Sequence, residues 1–408
     1  MAGTAPESRR MVFLYLLAGA VFATIAARGL TVPLYAHQLG ATRIEVGALF
    51  SVSTLSAAIL SLPAGVFVDR FGARNALVAS LVLTAGAQVG TALTTTVPPL
   101  FAWQIVSGLA AGAQQSAVFS AVTESVERGR LGRAMGWLTL SMQLGFTLGP
   151  GLAGIALRWI DVRADVAIST VLLVFTIPGA LVTSQTRQHA GRGFTLRGPL
   201  RSLVAQAAFL PVVIGLISMT LLWGTWQAYA PIFGKEALGL TSAEVGYMLA
   251  IQALFNAASR PIGGRLVDHA RRRWPIVATG AFGGAVAMVA VAHLSGFLLP
   301  TMVVAAGTPF LAIAFVAIGV VFGDLSNAST RGVAMGMYGT VLFLGLSIGP
   351  LLFGPIVQGS GYAAGFTACA VVAVVLALVM AAMHSQRDRP RTSPALAGDS
   401  ETQAPALR

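Results

Sequence analysis

Residues 134–154 read AMGWLTLSMQLGFTLGPGLAG, and residues 334–354 read AMGMYGTVLFLGLSIGPLLFG. Ala134, Met135, Gly136, Gly145, Gly149, Pro150 and Gly154 return as Ala334, Met335, Gly336, Gly345, Gly349, Pro350 and Gly354, with a shift of 200 each time. The register extends outward from this core. Glu124 returns as Asp324 with the same shift, while Gly65 and Asp69 return as Gly264 and Asp268 with a shift of 199. Thr42, Glu45 and Gly47 return as Thr241, Glu244 and Gly246, again after 199 residues. A register held over so many positions marks an internal duplication. Each quoted copy has no charged residue, and a helix of roughly 20 apolar residues crosses about 30 Å of hydrocarbon.

The whole chain fits that reading. Of 408 residues, 56% are hydrophobic and 10% charged, against about 25% charged in ordinary globular proteins. This composition excludes a disordered chain and argues against a soluble enzyme. Twelve spans emerge, at about 11–36, 44–67, 75–96, 98–124, 133–157, 164–185, 207–233, 242–266, 274–296, 299–324, 332–358 and 361–384. The expected fold is an all-α membrane protein, with twelve transmembrane helices in two pseudo-symmetric six-helix halves. The halves are residues 1–185 and 207–385, joined by a cytoplasmic linker at 186–206 and followed by a disordered cytoplasmic tail at 386–408. In the linker, Arg192, Arg197 and Arg201 alternate with Phe194, Leu196, Leu200 and Leu203. That suits either a short helix on the membrane surface or a plain connection. Arg9 and Arg10 before an apolar run imitate a signal peptide, but the run continues to Tyr35 and reads as an uncleaved helix.

The net charge of +12 comes from 26 basic and 14 acidic residues. Twenty of the basic residues fall in the gaps on one side of the spans and four on the other, with Arg28 and Arg260 inside spans. Positive loops stay inside, so both termini are expected in the cytoplasm and the protein in the inner (plasma) membrane. The asymmetry accounts for the basicity without nucleic acid. Cys369 is the only cysteine. It excludes an intramolecular disulfide or a cysteine-rich metal site, and its apolar surroundings make it a buried thiol.

Gly65-Val-Phe-Val-Asp69-Arg70-Phe-Gly72-Ala-Arg74 follows the second span. It resembles the G-x-x-x-D-R-x-G-R-[KR] signature of major facilitator superfamily transporters, with one of the two closing basic residues absent. The resemblance covers about residues 11–385. It implies a latch holding the cytoplasmic side closed, formed by Gly65, Asp69, Arg70, Gly72, Arg74, Glu124 and Asp268. Glu124 is placed to partner Arg70 or Arg74. The second copy is degraded to Gly264, Asp268, then His269-Ala-Arg271-Arg272-Arg273. The pattern of Gly136, Gly145, Gly149, Pro150 and Gly154 resembles a signature of antiporters and drug exporters in that superfamily, with Ala153 replacing one glycine. Its physical content is close helix packing and a locally broken backbone ladder.

Gln104-Ile-Val-Ser-Gly108-Leu-Ala-Ala-Gly112 stands in the fourth span, where proton-coupled relatives usually carry arginine at the Gln104 position. Arg28 lies about 8 residues before the end of span one and Gln104 about 6 after the start of span four, so both sit about 9–12 Å deep. An arginine at such depth must face a cavity or a polar partner. Further candidates for lining a substrate cavity are Gln114, Gln115, Gln143, Trp223, Trp226, Gln227, Gln252 and Asn256. Tryptophans and amides in an apolar wall suit a lipophilic ligand. Arg260 is expected to snorkel or pair locally, and His37 to sit at the interface. No carboxylate lies near mid-membrane, so neutral or anionic compounds fit better than strongly cationic ones.

No phosphate loop, His-Glu-x-x-His or Gly-x-Ser-x-Gly sequence occurs, so no enzyme, cofactor or metal is expected. The resemblance implies a monomeric exporter of small lipophilic or drug-like molecules in the lipid bilayer, coupled to protons. A metabolite or sugar importer or facilitator of the same fold remains open, as does a non-transporting membrane sensor.

Overall fold

The computed structural model describes residues 5–124, 126, 131–181, 197–270, 272–325 and 331–385. All the regular structure among them is helical. The helices are α1 (Ala5–Gln38), α2 (Arg43–Phe71), α3 (Ala73–Leu93), α4 (Val97–Glu124), α5 (Leu131–Ala156), α6 (Val162–Leu181), α7 (Arg197–Val204), α8 (Phe209–Glu236), α9 (Ser242–His269), α10 (Trp274–Val291), α11 (Leu298–Asp324) and α12 (Arg331–Ser385). In α12 two helices meet at Gly361, whose φ of 87° and ψ of 173° interrupt the helix between residues 331–360 and 362–385. Only glycine takes that conformation without steric cost. Nine of the described helices are long and apolar enough to cross a membrane, among them the double-length run Val333–His384. The 26-residue α5 and the 28-residue α9 are long enough, and their glycines and amides lower their hydropathy. With both arms of α12 counted, the bundle makes twelve crossings, and this is a multi-pass membrane protein.

Local sequence sets two of the boundaries by the same device. Thr42 and Thr241 each accept a hydrogen bond from the backbone of the glutamate three residues on, and Glu45 and Glu244 bond back to the threonine amides at 2.8 Å. Such reciprocal caps contribute about 1 kcal/mol apiece and start α2 and α9 at fixed residues. The turn between α2 and α3 is made by Gly72 at φ 85°.

The duplication is visible in the packing. In the first half α1 packs on α5, α2 on α4, and α3 on α4 and α6. In the second half α8 packs on both arms of α12, α9 on α11, and α10 on α11 and α12. The halves meet along α2 with α12 and along α5 with α9, a pair of seams related by the duplication. A Cβ at Gly145 or Gly149 would overlap the α1 backbone at Gly19 and Ala23, and one at Gly345 or Gly349 would overlap α8 at Thr220, Leu221 and Thr225.

Large apolar side chains such as Ile59, Leu93, Phe175, Phe282 and Leu378 point outward and are 60% exposed or more. On a water-soluble surface that would drive aggregation; here it is the lipid-facing belt. The first half of the short α7 is Arg-bearing, and Leu203 in its last turn is fully buried against the core. Residues 182–196 of the linker and the tail at 386–408 lie outside the described residues.

Candidate transport site and gates

The end of the bundle that carries the α2–α3 and α8-preceding turns is the arginine-rich end; the other is the arginine-poor end. Arg28 lies ten residues inside the arginine-poor end of α1 and Gln104 seven residues inside that end of α4. The Arg28 Nη2 donates to Gln104 Oε1 at 3.3 Å. Arg28 is half-buried at that depth. Gln104, Ser107 and Gln114 on α4 are 4%, 1% and 1% exposed. Gln104 Nε2, Ser107 Oγ and both amide atoms of Gln114 have no partner among the described residues. Each such buried group costs about 1–3 kcal/mol when left unpaired.

The second half satisfies its polar groups differently. Trp226 Nε1 donates to Gln252 Oε1 at 2.9 Å, and Trp226 meets Phe233 edge-on and Phe366 at a tilt. A small apolar cavity of about 40 Å³ is lined by Leu222, Trp223, Trp226, Gln252, Met288 and Leu311 among others. Across the seam, Gln143 Nε2 donates to Asn256 Oδ1 at 3.0 Å, and Arg260 Nε donates to the same oxygen at 3.2 Å. The structure therefore brings together Arg28 with Gln104, Gln143 with Asn256, and Trp223 and Trp226 with Gln252. It leaves Gln115 and Gln227 half-buried and outside these pairs.

The conformational elements divide by end. Gly65 lies in α2 and Gly72 at its close. Arg74 is half-buried on the first turn of α3, and Asp268 is exposed near the end of α9. The side chains of Asp69, Arg70 and Glu124 lie outside the described residues. In the second half Arg273 pairs with Asp324 at 2.5 Å; these positions are Arg74 and Glu124 displaced by 199 and 200 residues. Among the glycines of α5, Gly145 and Gly149 press on α1, and Gly154 meets Gly246 across the seam. Gly136 is exposed and nothing lies within 4 Å of its Cβ position, so it takes no part in the close contact. It sits in the arginine-rich third of α5, away from the Gly19–Ala23 approach.

At the arginine-poor end the halves are bolted together. Arg43 on the first turn of α2 pairs with Glu236 at the end of α8, at 2.7 Å, and its ring-facing guanidinium lies 4.6 Å from the centre of Tyr362. Tyr362 OH donates to Glu236 Oε2 at 2.9 Å, and His37 Nδ1 stands 3.4 Å from Glu236. The Arg43 amide donates to Gln358 at 2.9 Å. On the other seam Arg158 lies 5.5 Å over the ring of Tyr247. Deeper, Ser51 Oγ donates to the Ser347 carbonyl at 2.8 Å and Thr340 to that of Ala58 at 3.3 Å. Among the described residues, Gln143–Asn256 and Thr340–Ala58 are the bridges between halves that reach furthest toward the arginine-rich end.

Sequence reasoning missed three parts of this arrangement. Ser107 had a signal, standing one turn from Gln104 on the same helix face. Arg273 had one too, in its displacement from Arg74. Nothing in the sequence pairs Arg43 with Glu236, which are 193 residues apart. Cys369 is fully buried, its thiol 3.3 Å from Thr225 Oγ1.

Comparison with known proteins follows the same lines. Residues 12–318 and 236–407 match the family model described as Major Facilitator Superfamily. The chain is 25% identical over 369 residues to Multidrug resistance protein 2 of Bacillus subtilis (strain 168), covering 85% of this chain and 89% of that one. It is 23% identical over 412 residues to a probable galactarate/D-glucarate transporter of the same organism, covering 90% of each. It superposes, with a TM-score of 0.74 and 15% identity, on a bacterial homolog to the human lysosomal transporter Spinster in an inward-facing and unoccupied conformation. That match covers 94% of this chain and 97% of the other and speaks to the fold alone.

Proposed function

This chain belongs to the Major Facilitator Superfamily and is a membrane transporter rather than an enzyme, and from that premise we propose that it exports small lipophilic molecules by proton antiport. The observation that carries the reading is the chemistry of the interior: tryptophans, amides and apolar side chains at mid-depth, in a bundle bolted shut at its arginine-poor end. The similarity to a multidrug resistance protein along most of both chains supports export.

In this reading the halves 1–185 and 207–385 rock about the lumen, exposing it to one side at a time. The arginine-rich end, both termini and the 186–206 linker face the cytoplasm of a cell whose inner membrane holds the protein as a monomer. The conformation with the arginine-poor end closed is then the one that loads from inside. Gly65, Asp69, Arg70, Gly72, Arg74 and Glu124 latch the cytoplasmic side in the opposite conformation, and Arg273–Asp324, with Asp268 nearby, is their counterpart in the second half. Gly145, Gly149, Pro150 and Gly154 let α5 roll against α1 and α9 without side chains in the way.

The test is proton release from inside-out vesicles holding an imposed pH gradient, as a panel of lipophilic compounds is added. Compound-dependent proton movement that disappears in well-folded Asp69→Asn is expected. Silence across the panel from folded protein would overturn antiport and turn the reading to a facilitator of a metabolite, which the resemblance to a galactarate/D-glucarate transporter favours.

A further inference from the structure

Resting on the lumen as the transport site, we propose that its ligand carries a carboxylate, seated on Arg28 with Gln104 and Ser107, with Arg260 as a second cationic position in the other half. The argument begins with a shortage of negative charge. Among the described residues, no Asp or Glu lies more than four residues inside a helix end. Arg28 and Arg260 lie nine residues or more inside theirs. Neither arginine therefore has a carboxylate at its own depth, and a guanidinium in a membrane interior demands a counter-charge or strong acceptors.

The acceptors present are few. Arg28 has the amide oxygen of Gln104, and Arg260 has that of Asn256, which already accepts from Gln143. Around Arg28 the surplus on α4 offers donors, while the unpartnered oxygen of Gln114 lies ten residues further along that helix. Gln104 is turned so that its oxygen meets Arg28, and its Nε2 is left over, buried and unpartnered among the described residues. Ser107, one turn further along the same α4 face, is buried with its hydroxyl equally unpartnered. The guanidinium on α1, with an amide N–H and a hydroxyl one turn apart on α4, is the donor set that a planar anion needs, and a carboxylate offers acceptor lone pairs to all three.

The two arginines stand in opposite halves and at different depths, Arg28 nearer the arginine-poor end and Arg260 nearer the arginine-rich end. An anion entering from the arginine-rich end meets Arg260 first and Arg28 last, so the same head group has a counter-charge along its path. The body of the ligand faces apolar and aromatic walls. Together these select an acidic amphiphile over a cationic one, and over a neutral one by the charge-assisted bonds.

The experiment uses the full chain in proteoliposomes and three probes with one skeleton: a naphthyl-substituted alkanoic acid, its primary carboxamide and its amine. Binding is read as quenching of tryptophan fluorescence and transport as probe accumulation. The acid is expected to bind on the order of tenfold more tightly than the carboxamide. Arg28→Gln removes that preference, Arg28→Lys retains part of it, and Arg260→Gln weakens uptake of the acid while leaving the order of the probes unchanged. Unaltered thermal stability of Arg28→Lys separates recognition from folding. Transport of the carboxamide and amine with no preference for the acid overturns this inference and leaves the exporter reading standing. Binding of the acid that depends on Arg28, without transport of any probe, supports the inference and counts against the exporter.

Discussion

The two seams between the halves are related by the duplication, yet they are fastened by different means. Along α5 and α9, Gly154 and Gly246 let the backbones touch: a Cβ at Gly246 would lie 2.6 Å from the Pro150 carbonyl oxygen and 2.7 Å from the Gly154 Cα. Along α2 and α12 the equivalent glycines are Gly47 and Gly354, and the hydroxyl of Tyr229 fills the space between them while donating to the Pro150 counterpart, Pro350, at 3.2 Å. The ends differ as well. The α2–α12 seam closes on a carboxylate shared by Arg43, Tyr362 and His37, whereas the α5–α9 seam closes on a single arginine over a ring. A duplicated fold has thus acquired one seam set by shape and one set by charge. Shape tolerates rolling but no added volume, and charge can be broken and remade. The first suits a pivot and the second a bolt.

The largest effect should come from adding volume at the pivot. Gly246→Leu must push α9 off backbone atoms that cannot rotate away. Overpacking of this kind costs about 1–3 kcal/mol, and here the cost falls on the conformation sealed at the arginine-poor end. That shifts the sealed-to-open ratio by roughly 5- to 150-fold. Spin labels at Asp161 and Lys235, one in each half at that end, would report a longer distance and slowed transport. Because Cys369 is fully buried, engineered cysteines can be labelled over little background. A sealed distance unchanged in Gly246→Leu would remove the pivot.

Breaking the bolt should have a middling effect. Glu236→Gln leaves an acceptor for Tyr362 and removes the charge that Arg43 and His37 face. The side chains are 32% and 20% exposed for Arg43 and Glu236, so solvent weakens the pair; a contribution of about 1 kcal/mol corresponds to roughly fivefold in the conformational ratio. The same label pair should open partway, and high salt should move the unsubstituted protein in the same direction, since screening acts on exposed charges. Salt that changes Glu236→Gln as much as the parent would mean that the bolt is not ionic.

These seams also mark where sequence was readable and where it was not. The capping threonines of α2 and α9, the helix spans and the glycine spacing of α5 were readable because each is a local pattern with a local cause. The adjacency of Arg28 and Gln104 was readable because helix rise converts residue number into depth. Arg43 and Glu236 were opaque, since each alone looks like an ordinary charge at a helix end and only the closing of the halves brings them together. Gly136 misled in the opposite way: it belongs to the spacing but stands clear of any neighbour. Tyr229 could not be foreseen, because which of two related glycine contacts admits a wedge depends on where α8 lies. The carboxylate of Asp69 and its neighbours Arg70 and Glu124 lie outside the described residues, so the latch rests on its sequence pattern and on the Arg273–Asp324 pair.

The smallest effect belongs to Arg158. A cation–π contact at an exposed position contributes about 0.5–1 kcal/mol, so Arg158→Ala should shift the label distance no more than Glu236→Gln and change transport by roughly two- to fivefold at most. Tyr247→Phe keeps the ring face and should be silent, whereas Tyr247→Leu should match Arg158→Ala, and the double substitution should add nothing further. The α5–α9 seam would then owe its closure to the backbone contact at Gly154 and Gly246 and to the Gln143–Asn256 hydrogen bond. If instead Arg158→Ala proves as damaging as Glu236→Gln while Tyr247→Leu is silent, the partner of Arg158 is the nearby Glu244, which lies close enough to feel its charge. Both seams would then be bolted by a carboxylate, and the pivot would have to be sought deeper, at Gln143 and Asn256.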